Sequence, residues 1–163
     1  MKYLIDSDTL IRAKNDFYPF DSVPAFWTWL ERLNETEVVF SIDKVKQELM
    51  DEGDQLSNWV KMHGAFFLKT DGSNTQKALR DVAAWIVYHE RYSESAKNTF
   101  LSCADYRLIG HAIALGATVI TFEKDEPAAV ERIKIPSVCK QFNIPCGNLW
   151  KLRKEYPSKF VME

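Results

Sequence analysis

Cysteine, net charge and long apolar segments are all scarce in this sequence of 163 residues. Its three cysteines, Cys103, Cys139 and Cys146, form no C-x-x-C pair, so neither a disulfide framework nor a zinc site is expected. An odd number of thiols and the lack of a signal-like apolar stretch at the N-terminus indicate a reducing, cytoplasmic compartment. No apolar run reaches about 18 residues, so we expect no membrane span. The formal net charge of −2 excludes a generally basic protein, and a nucleic-acid partner would need a local basic surface.

The composition is that of a folded globular chain, since 46% of the residues are apolar, 13% aromatic and 27% charged. A chain of this size buries roughly 70% of its unfolded surface, which is enough for a core without a disulfide or a structural metal. We therefore expect a single domain over residues 1–163, with a helical C-terminal tail from about residue 136.

Short apolar runs alternate with helical patterns along the chain. Strands are predicted where apolar runs are short and end in polar residues: 3–5, 37–41, 65–68, 117–122 and 132–135. Helices are predicted where apolar residues recur every three or four positions: 24–33, 43–52, 75–92 and 102–115. Gly116 is expected to end the last helix in the left-handed conformation. This alternation predicts an α/β fold with a mainly parallel central sheet.

Acidic residues recur at the carboxyl ends of the predicted strands and on the helices that follow them. Parallel sheets bind ligands at that edge. Four acids are predicted to converge there: Asp6, Glu48, Asp105 and Glu123. Two auxiliary acids, Asp8 and Asp125, are expected close by.

A cluster of carboxylates requires a compensating charge. Two carboxylates about 4 Å apart repel by on the order of 4 kcal/mol at an effective dielectric near 20, so some are protonated or a cation lies between them. Oxygen ligands without cysteine or histidine select hard ions, which favours Mg²⁺ or Mn²⁺. Such ions activate water and stabilise the leaving oxygen when a phosphodiester is hydrolysed.

Each acid also has an ordinary structural interpretation. Ser102 and Asp105 fit a capping box at the start of a helix, and Asp8 fits a cap of the following turn. Glu48 alone fits a solvated helix face, and Glu123 lies in an acidic loop that is solvated by default. Asp6 closes an apolar strand, where an acid is costly to bury without a partner.

Four segments, in order, resemble the motifs of PIN-domain ribonucleases. They are an opening strand ending in an acid, a helical Glu-Leu, an Asp that opens an alanine-rich helix, and a strand ending in Thr-x-acid: Leu4-Ile5-Asp6-Ser7-Asp8-Thr9-Leu10, Val45-Lys46-Gln47-Glu48-Leu49, Ala104-Asp105-Tyr106-Arg107-Leu108-Ile109-Gly110-His111-Ala112 and Ala117-Thr118-Val119-Ile120-Thr121-Phe122-Glu123. The stretch 134–139 further resembles an uncharacterised PIN-like branch of bacterial toxins. The resemblance implies a three-layer α/β/α fold.

The resemblance also implies a function, a metal-dependent endoribonuclease that is the toxin of a bacterial toxin–antitoxin pair. Asp6, Glu48 and Asp105 would hold the ion, Glu123 would complete the site, and Thr121 would orient ligands or water. Two positions depart from the family's pattern. Glu123 replaces the usual Asp, and Asp8 replaces the common Asn or Ser.

An RNA substrate needs positive charge around an acidic site, because that site repels phosphates. Five basic residues are candidates for this rim: Lys44, Lys46, Arg107, Lys124 and Lys134. Their ordinary interpretation is surface solubility. The tryptophans fit either base stacking or the core: Trp27, Trp29, Trp59, Trp85 and Trp150. Dense aromatic residues at 17–33 fit either the core or an exposed surface for an antitoxin or a second copy.

Two other functions fit parts of the sequence. Asp6-Ser7-Asp8-Thr9-Leu10 also matches the opening motif of HAD phosphatases, with Asp6 as nucleophile and Asp8 as acid/base, although the Gly-Asp segment of those enzymes has no counterpart. A PIN-like chain without catalysis would instead be a binding module.

Overall fold

A five-stranded parallel sheet forms the centre of the computed structural model, which describes residues 1–162. The strands follow the chain in this order: β1 (Tyr3–Ile5), β2 (Val39–Ile42), β3 (Phe67–Leu68), β4 (Thr118–Ile120) and β5 (Cys146–Gly147). Their spatial order is β3-β2-β1-β4-β5, and every neighbouring pair is parallel. The predicted α/β class with a parallel sheet is confirmed.

Helices connect and flank these strands. The α-helices are α1 (Ser7–Arg12), α2 (Pro24–Glu35), α3 (Asp43–Met50), α4 (Gln55–Met62), α5 (Ser73–Val87), α6 (Glu94–Ser102), α7 (Ala104–Leu115), α8 (Ile135–Gln141) and α9 (Leu149–Glu155). A π-helix, Ala13–Phe17, follows α1, and a 3-10 helix, Gly64–Phe66, precedes β3. No helix within residues 1–162 is long and apolar enough to cross a membrane.

The direction in which strands are added reverses beside β1. The chain builds β2 and β3 outward on one side of β1, and then adds β4 and β5 on its other side. A reversal of this kind in a parallel sheet opens a crevice at the carboxyl ends of the two strands between which it occurs. Asp6 follows β1 and Thr121 follows β4, so the topology places these two residues beside each other.

The central strands are buried on both faces, as the uninterrupted apolar runs predict. Helices α5 and α7 pack closely over the sheet because α7 carries a glycine at the contact. A Cβ atom on Gly110 would lie 2.4 Å from Cδ2 of Leu79. This close packing fixes α7, whose first turn carries Asp105.

Three predicted elements differ from the observed ones. Residues 132–134 form no strand, and Lys134 instead precedes α8, which has Pro136 in its first turn. The pattern at 75–92 ends as a helix at Val87. The pattern at 102–115 is divided, since the extended Cys103 (φ −101°, ψ 168°) separates α6 from α7. Gly116 ends α7 in the left-handed conformation (φ 66°, ψ 33°), as predicted.

Candidate active site

A cavity of about 660 Å³ opens at the carboxyl edge of the sheet, between α1, α3 and α7 and the segment after β4. We call it the acidic cleft. Its acidic lining residues are Asp8, Glu48, Asp105, Glu123 and Glu126. Its basic lining residues are Arg12, Lys124, Arg132 and Lys134. Three of the four acids predicted to converge therefore share this cavity.

The fourth, Asp6, lies beneath the acidic cleft and is only 2% exposed. Its Oδ1 accepts a hydrogen bond from the backbone N–H of Thr9 (2.9 Å), which caps α1, and its Oδ2 accepts one from the hydroxyl of Thr121 (2.6 Å). Burial raises the pKa of Asp6 to about 6, although the hydrogen bonds from Thr121 and Thr9 oppose the rise. A buried carboxyl with two donors fits a ligand-holding role better than an exposed nucleophile, which argues against the phosphatase interpretation.

Glu48 connects three helices. Its Oε2 accepts a hydrogen bond from the hydroxyl of Ser7 on α1 (2.7 Å), and its Oε1 accepts one from the backbone N–H of Ala104 at the start of α7 (3.1 Å). The side chain of Glu48 is exposed, as a solvated helix face requires, and both of its carboxylate oxygens are nevertheless held by donors of the protein.

Glu123 is fixed by the turn after β4 and by α8. Its backbone N–H donates to the hydroxyl oxygen of Thr121 (3.1 Å), and its Oε2 accepts from the backbone N–H of Ile135 (2.7 Å). Thr121 thus contacts both Asp6 and Glu123, which agrees with the orienting role that the family resemblance implied. The loop acid is not simply solvated.

Asp105 carries the strongest electrostatic signal in the acidic cleft. Burial raises its pKa to about 8, and the negative charges of Asp6, Glu123, Glu48 and Asp8 add to the rise. The capping-box alternative is wrong, because the side chain of Ser102 bonds backward to carbonyl groups of α6 and makes no cap at α7. The charges of the other three predicted acids therefore act on Asp105.

The donor set fits a hard divalent cation by its chemistry, since it consists of carboxylate oxygens whose charges together raise the pKa of Asp105. Within residues 1–162, however, no three His, Cys, Asp or Glu side chains lie close enough together to hold one ion. Mutual repulsion and the hydrogen bonds of Glu48 and Glu123 favour this spread arrangement. Asp6, Glu48, Asp105 and Glu123 are the residues available to hold an ion.

The predicted auxiliary and RNA-binding residues are only partly brought together. Asp125 turns away from the acidic cleft, because its carboxylate accepts a hydrogen bond from the hydroxyl of Ser137 (2.7 Å). Asp125 is not among the residues that line the acidic cleft, and its expected auxiliary role stays a prediction. Lys46 also faces elsewhere, with its ammonium group beside Gly64.

Other predicted basic residues do lie around the site. Lys124 and Lys134 line the acidic cleft, while Lys44 and Arg107 line a separate cavity of about 190 Å³. The sequence argument missed Arg12 and Arg132, which also line the acidic cleft. The spacing of Asp8 and Arg12, four residues apart on one helix, was the available signal, and the two side chains form an ion pair at 2.9 Å.

The aromatic residues are mostly structural. Trp27, Trp29 and Trp59 are buried in the core, as their ordinary interpretation proposed. Trp150 is 41% exposed and lies against Phe122, which lines the acidic cleft.

Comparisons with known proteins extend these observations. A family model described as "Domain of unknown function (DUF4411)" matches residues 3–160. A search of curated proteins finds no significant match. Among solved structures, a chain from the crystal structure of VapBC2 from Rickettsia felis, bound to a DNA fragment from its promoter, has 15% sequence identity and a TM-score of 0.55. The alignment covers 91% of this chain and 98% of that one. At this identity the likeness shows the fold alone, which is PIN-like.

Proposed function

Because the chain belongs to the family described as a domain of unknown function (DUF4411) and has a PIN-like fold, we propose that it is a metal-dependent endoribonuclease that hydrolyses RNA phosphodiesters. The single observation that carries this proposal is the convergence of carboxyl groups from separate parts of the chain, since Glu48, Asp105 and Glu123 line one cleft and Asp6 is buried beneath it. Structural ion-pair networks pair acids with bases. Here burial and four neighbouring acids raise the pKa of Asp105, which is typical of a site that receives a cation.

The residues of the acidic cleft have different proposed roles: some bind the ion, and others orient its ligands. Asp6, Glu48 and Asp105 would hold Mg²⁺ or Mn²⁺, and Glu123 would complete the site. When bound, such an ion supplies an activated water and neutralises charge on the phosphate. Thr121 keeps the Asp6 carboxylate in one orientation through its 2.6 Å hydrogen bond.

Basic residues around the acidic cleft serve the substrate. Lys124, Lys134 and Arg132 lie in its lining, where they attract a phosphate backbone that the acids repel. Lys44 and Arg107 extend this charge along a second, smaller cavity. A polyanion can therefore approach along basic edges and present one phosphodiester to the acids between them.

We further propose that the chain acts as a toxin with a protein antitoxin as partner. The similar VapBC2 chain from Rickettsia felis comes from a structure bound to a DNA fragment from its promoter. Beyond the shared fold, this proposal rests on the resemblance of the sequence motifs to those of toxins from toxin–antitoxin pairs.

Addition of Mn²⁺ should stabilise the protein against heat, because a ligand that binds only the folded state adds to the free energy of unfolding. The gain is about 2.7 kcal/mol at a concentration 100 times the Kd. Thermal unfolding with and without Mn²⁺ measures it, with Asp125→Asn as a matched control that should respond like the wild type. An unchanged Tm at millimolar Mn²⁺ would favour a binding module without a metal.

Replacing Glu48 with Gln should lower metal-dependent RNA cleavage by about 100-fold, since it removes a charged ligand but retains oxygen and nitrogen for hydrogen bonding. Cleavage of a labelled RNA at several Mn²⁺ concentrations measures the loss. Glu52→Gln, an exposed acid just beyond α3, is the control and should retain activity. If Glu48→Gln cleaved RNA normally, or if the wild type hydrolysed only a small phosphate ester, the phosphatase alternative would gain.

A further inference from the structure

Three aromatic side chains form a cluster at the edge of the acidic cleft. Phe17 comes from the π-helix after α1, Phe122 follows β4, and Trp150 lies in the first turn of α9. The ring centroids are 5.4 Å apart for Phe17 and Phe122, 5.5 Å for Phe122 and Trp150, and 4.9 Å for Phe17 and Trp150. We call this cluster the aromatic rim. Phe122 also lines the acidic cleft, so the two features are continuous.

The aromatic rim differs from the buried aromatic residues in its exposure. Trp150 is 41% exposed and Phe17 is 38% exposed, although both rings would be more stable in the core. A contiguous exposed patch of large apolar side chains marks a binding surface. Three separate segments supply the rings, so the fold, and not one helical pattern, creates the patch.

The three rings of the aromatic rim do not stack on one another. Their planes meet at 49°, 63° and 69°, so none of the three pairs is stacked in parallel. In the neighbouring packed region, by contrast, the rings of Tyr18 and Phe26 stack at 7°. The exposed parts of Trp150 and Phe17 are therefore the surfaces against which a planar group can pack.

Positive charge accompanies these faces. The guanidinium of Arg12 lies 5.7 Å from the centroid of the Phe122 ring, and Lys124 follows two positions after that ring in the acidic cleft. Lys151, next to Trp150, is exposed. The acids nearby include Asp8, which pairs with Arg12, the exposed Asp16, and Glu123, which follows Phe122 in the acidic cleft. Cations beside aromatic faces match a ligand with planar rings joined by phosphates.

We propose that the aromatic rim is a stacking subsite for an unpaired base of RNA adjacent to the phosphodiester that is cut. This inference rests on the proposed ribonuclease function and names its substrate class, a strand that is single or locally unpaired. A base in a duplex is covered by its neighbours, whereas an unpaired base can stack on Trp150 or Phe17 while its phosphate reaches the acidic cleft. Every base can stack on an aromatic ring, so the subsite distinguishes unpaired from paired RNA more than one base sequence from another.

The test measures binding of a labelled ten-nucleotide single-stranded RNA and of a blunt duplex, in an Asp105→Asn background that keeps the strands intact. Trp150→Ala should weaken single-strand binding by roughly tenfold and duplex binding little, because base–aromatic stacking is lost. Trp150→Phe should retain most of the affinity, and Phe17→Ala should repeat the loss. Tyr88→Ala is the matched control, since Tyr88 is an exposed aromatic (83%) outside the cluster. Tryptophan fluorescence should be quenched by RNA in the parent and much less in Trp150→Phe.

The outcomes separate this inference from the function on which it rests. If the wild type cleaves RNA and Trp150→Ala and Phe17→Ala bind single strands normally, the subsite is wrong and the ribonuclease stands. If Trp150→Ala weakens single-strand and duplex binding equally, charge and not stacking is responsible, and the subsite is also wrong. If Trp150→Ala and Phe17→Ala bind RNA normally but sediment more slowly than the parent protein, the subsite is wrong and the aromatic rim contacts a second copy of this chain. If neither strand binds and no RNA is cut, both proposals fail.

Discussion

Replacing Asp105 with Asn should lower kcat/KM for RNA cleavage by about 1,000-fold or more while the protein remains folded. Asn has nearly the same shape but cannot carry the negative charge that a divalent ion requires. The negative charges of Asp6, Glu123 and Glu48 all raise the pKa of Asp105, so a bound cation would stabilise its deprotonated form. Single-turnover cleavage of a labelled RNA, with circular dichroism of the variant, measures both parts of the expectation.

Asp81→Asn provides the matched control, because Asp81 is an exposed acid on α5 with the same side chain in a different environment. It should cleave RNA at the wild-type rate. Wild-type activity in a folded Asp105→Asn variant would contradict the proposed metal site. Loss of activity together with loss of helical signal would assign the residue to folding, and the Glu48→Gln variant would then decide the catalytic question.

Raising the pH from about 5 to about 9 should destabilise the protein when a chelator has removed divalent ions. The ordinary pKa of an aspartate is 3.8, whereas in the folded protein it is about 8 for Asp105 and about 6 for Asp6. Between those values the folded state holds protons that the unfolded chain has released. The free energy of unfolding therefore falls as the pH rises, and it stops falling above the folded pKa values. The expected loss in Tm is on the order of 5–10 °C.

Two comparisons make this pH dependence specific. Asp105→Asn should flatten the upper part of the curve, between about pH 6 and pH 8, and leave the part due to Asp6. Saturating Mn²⁺ should reverse the sign over the same interval, because an ion binds the deprotonated carboxylates. A wild-type Tm that rises or stays constant up to pH 9 in chelator would show that these carboxyl groups are neither buried nor coupled.

Much of the fold follows from the sequence because its signals are local. The run Tyr3–Ile5 and the strand near 118–120 are apolar throughout, which only a strand buried on both faces requires. Parallel pairing then determines that Asp6 and Thr121 meet, since both follow their strands at one edge. The two-residue β5 was missed, because Cys146 and Gly147 carry no periodic pattern.

Less of the candidate site could be predicted, since a side chain's direction depends on partners far along the chain. Asp125 was expected close to the four acids as an auxiliary residue, but its carboxylate contacts Ser137 and Lys140 of α8. Glu123 points inward because the N–H of Ile135 holds it. The aromatic rim could not be predicted either, because the contact of Trp150 with Phe122 joins residues from distant parts of the chain and leaves no local pattern in the sequence.

The hydrogen bond from Ile135 to Glu123 makes the C-terminal part of the chain a component of the candidate site. All four acids predicted to converge precede residue 124, so a fragment ending there would still contain the four segments that resemble the PIN-domain motifs. Such a fragment would nevertheless lack the clamp on Glu123, the edge strand beside β4 and the indole of Trp150. A fragment that retains the complete candidate site must therefore extend beyond the motifs, because residues after 124 hold Glu123 in position and supply Trp150.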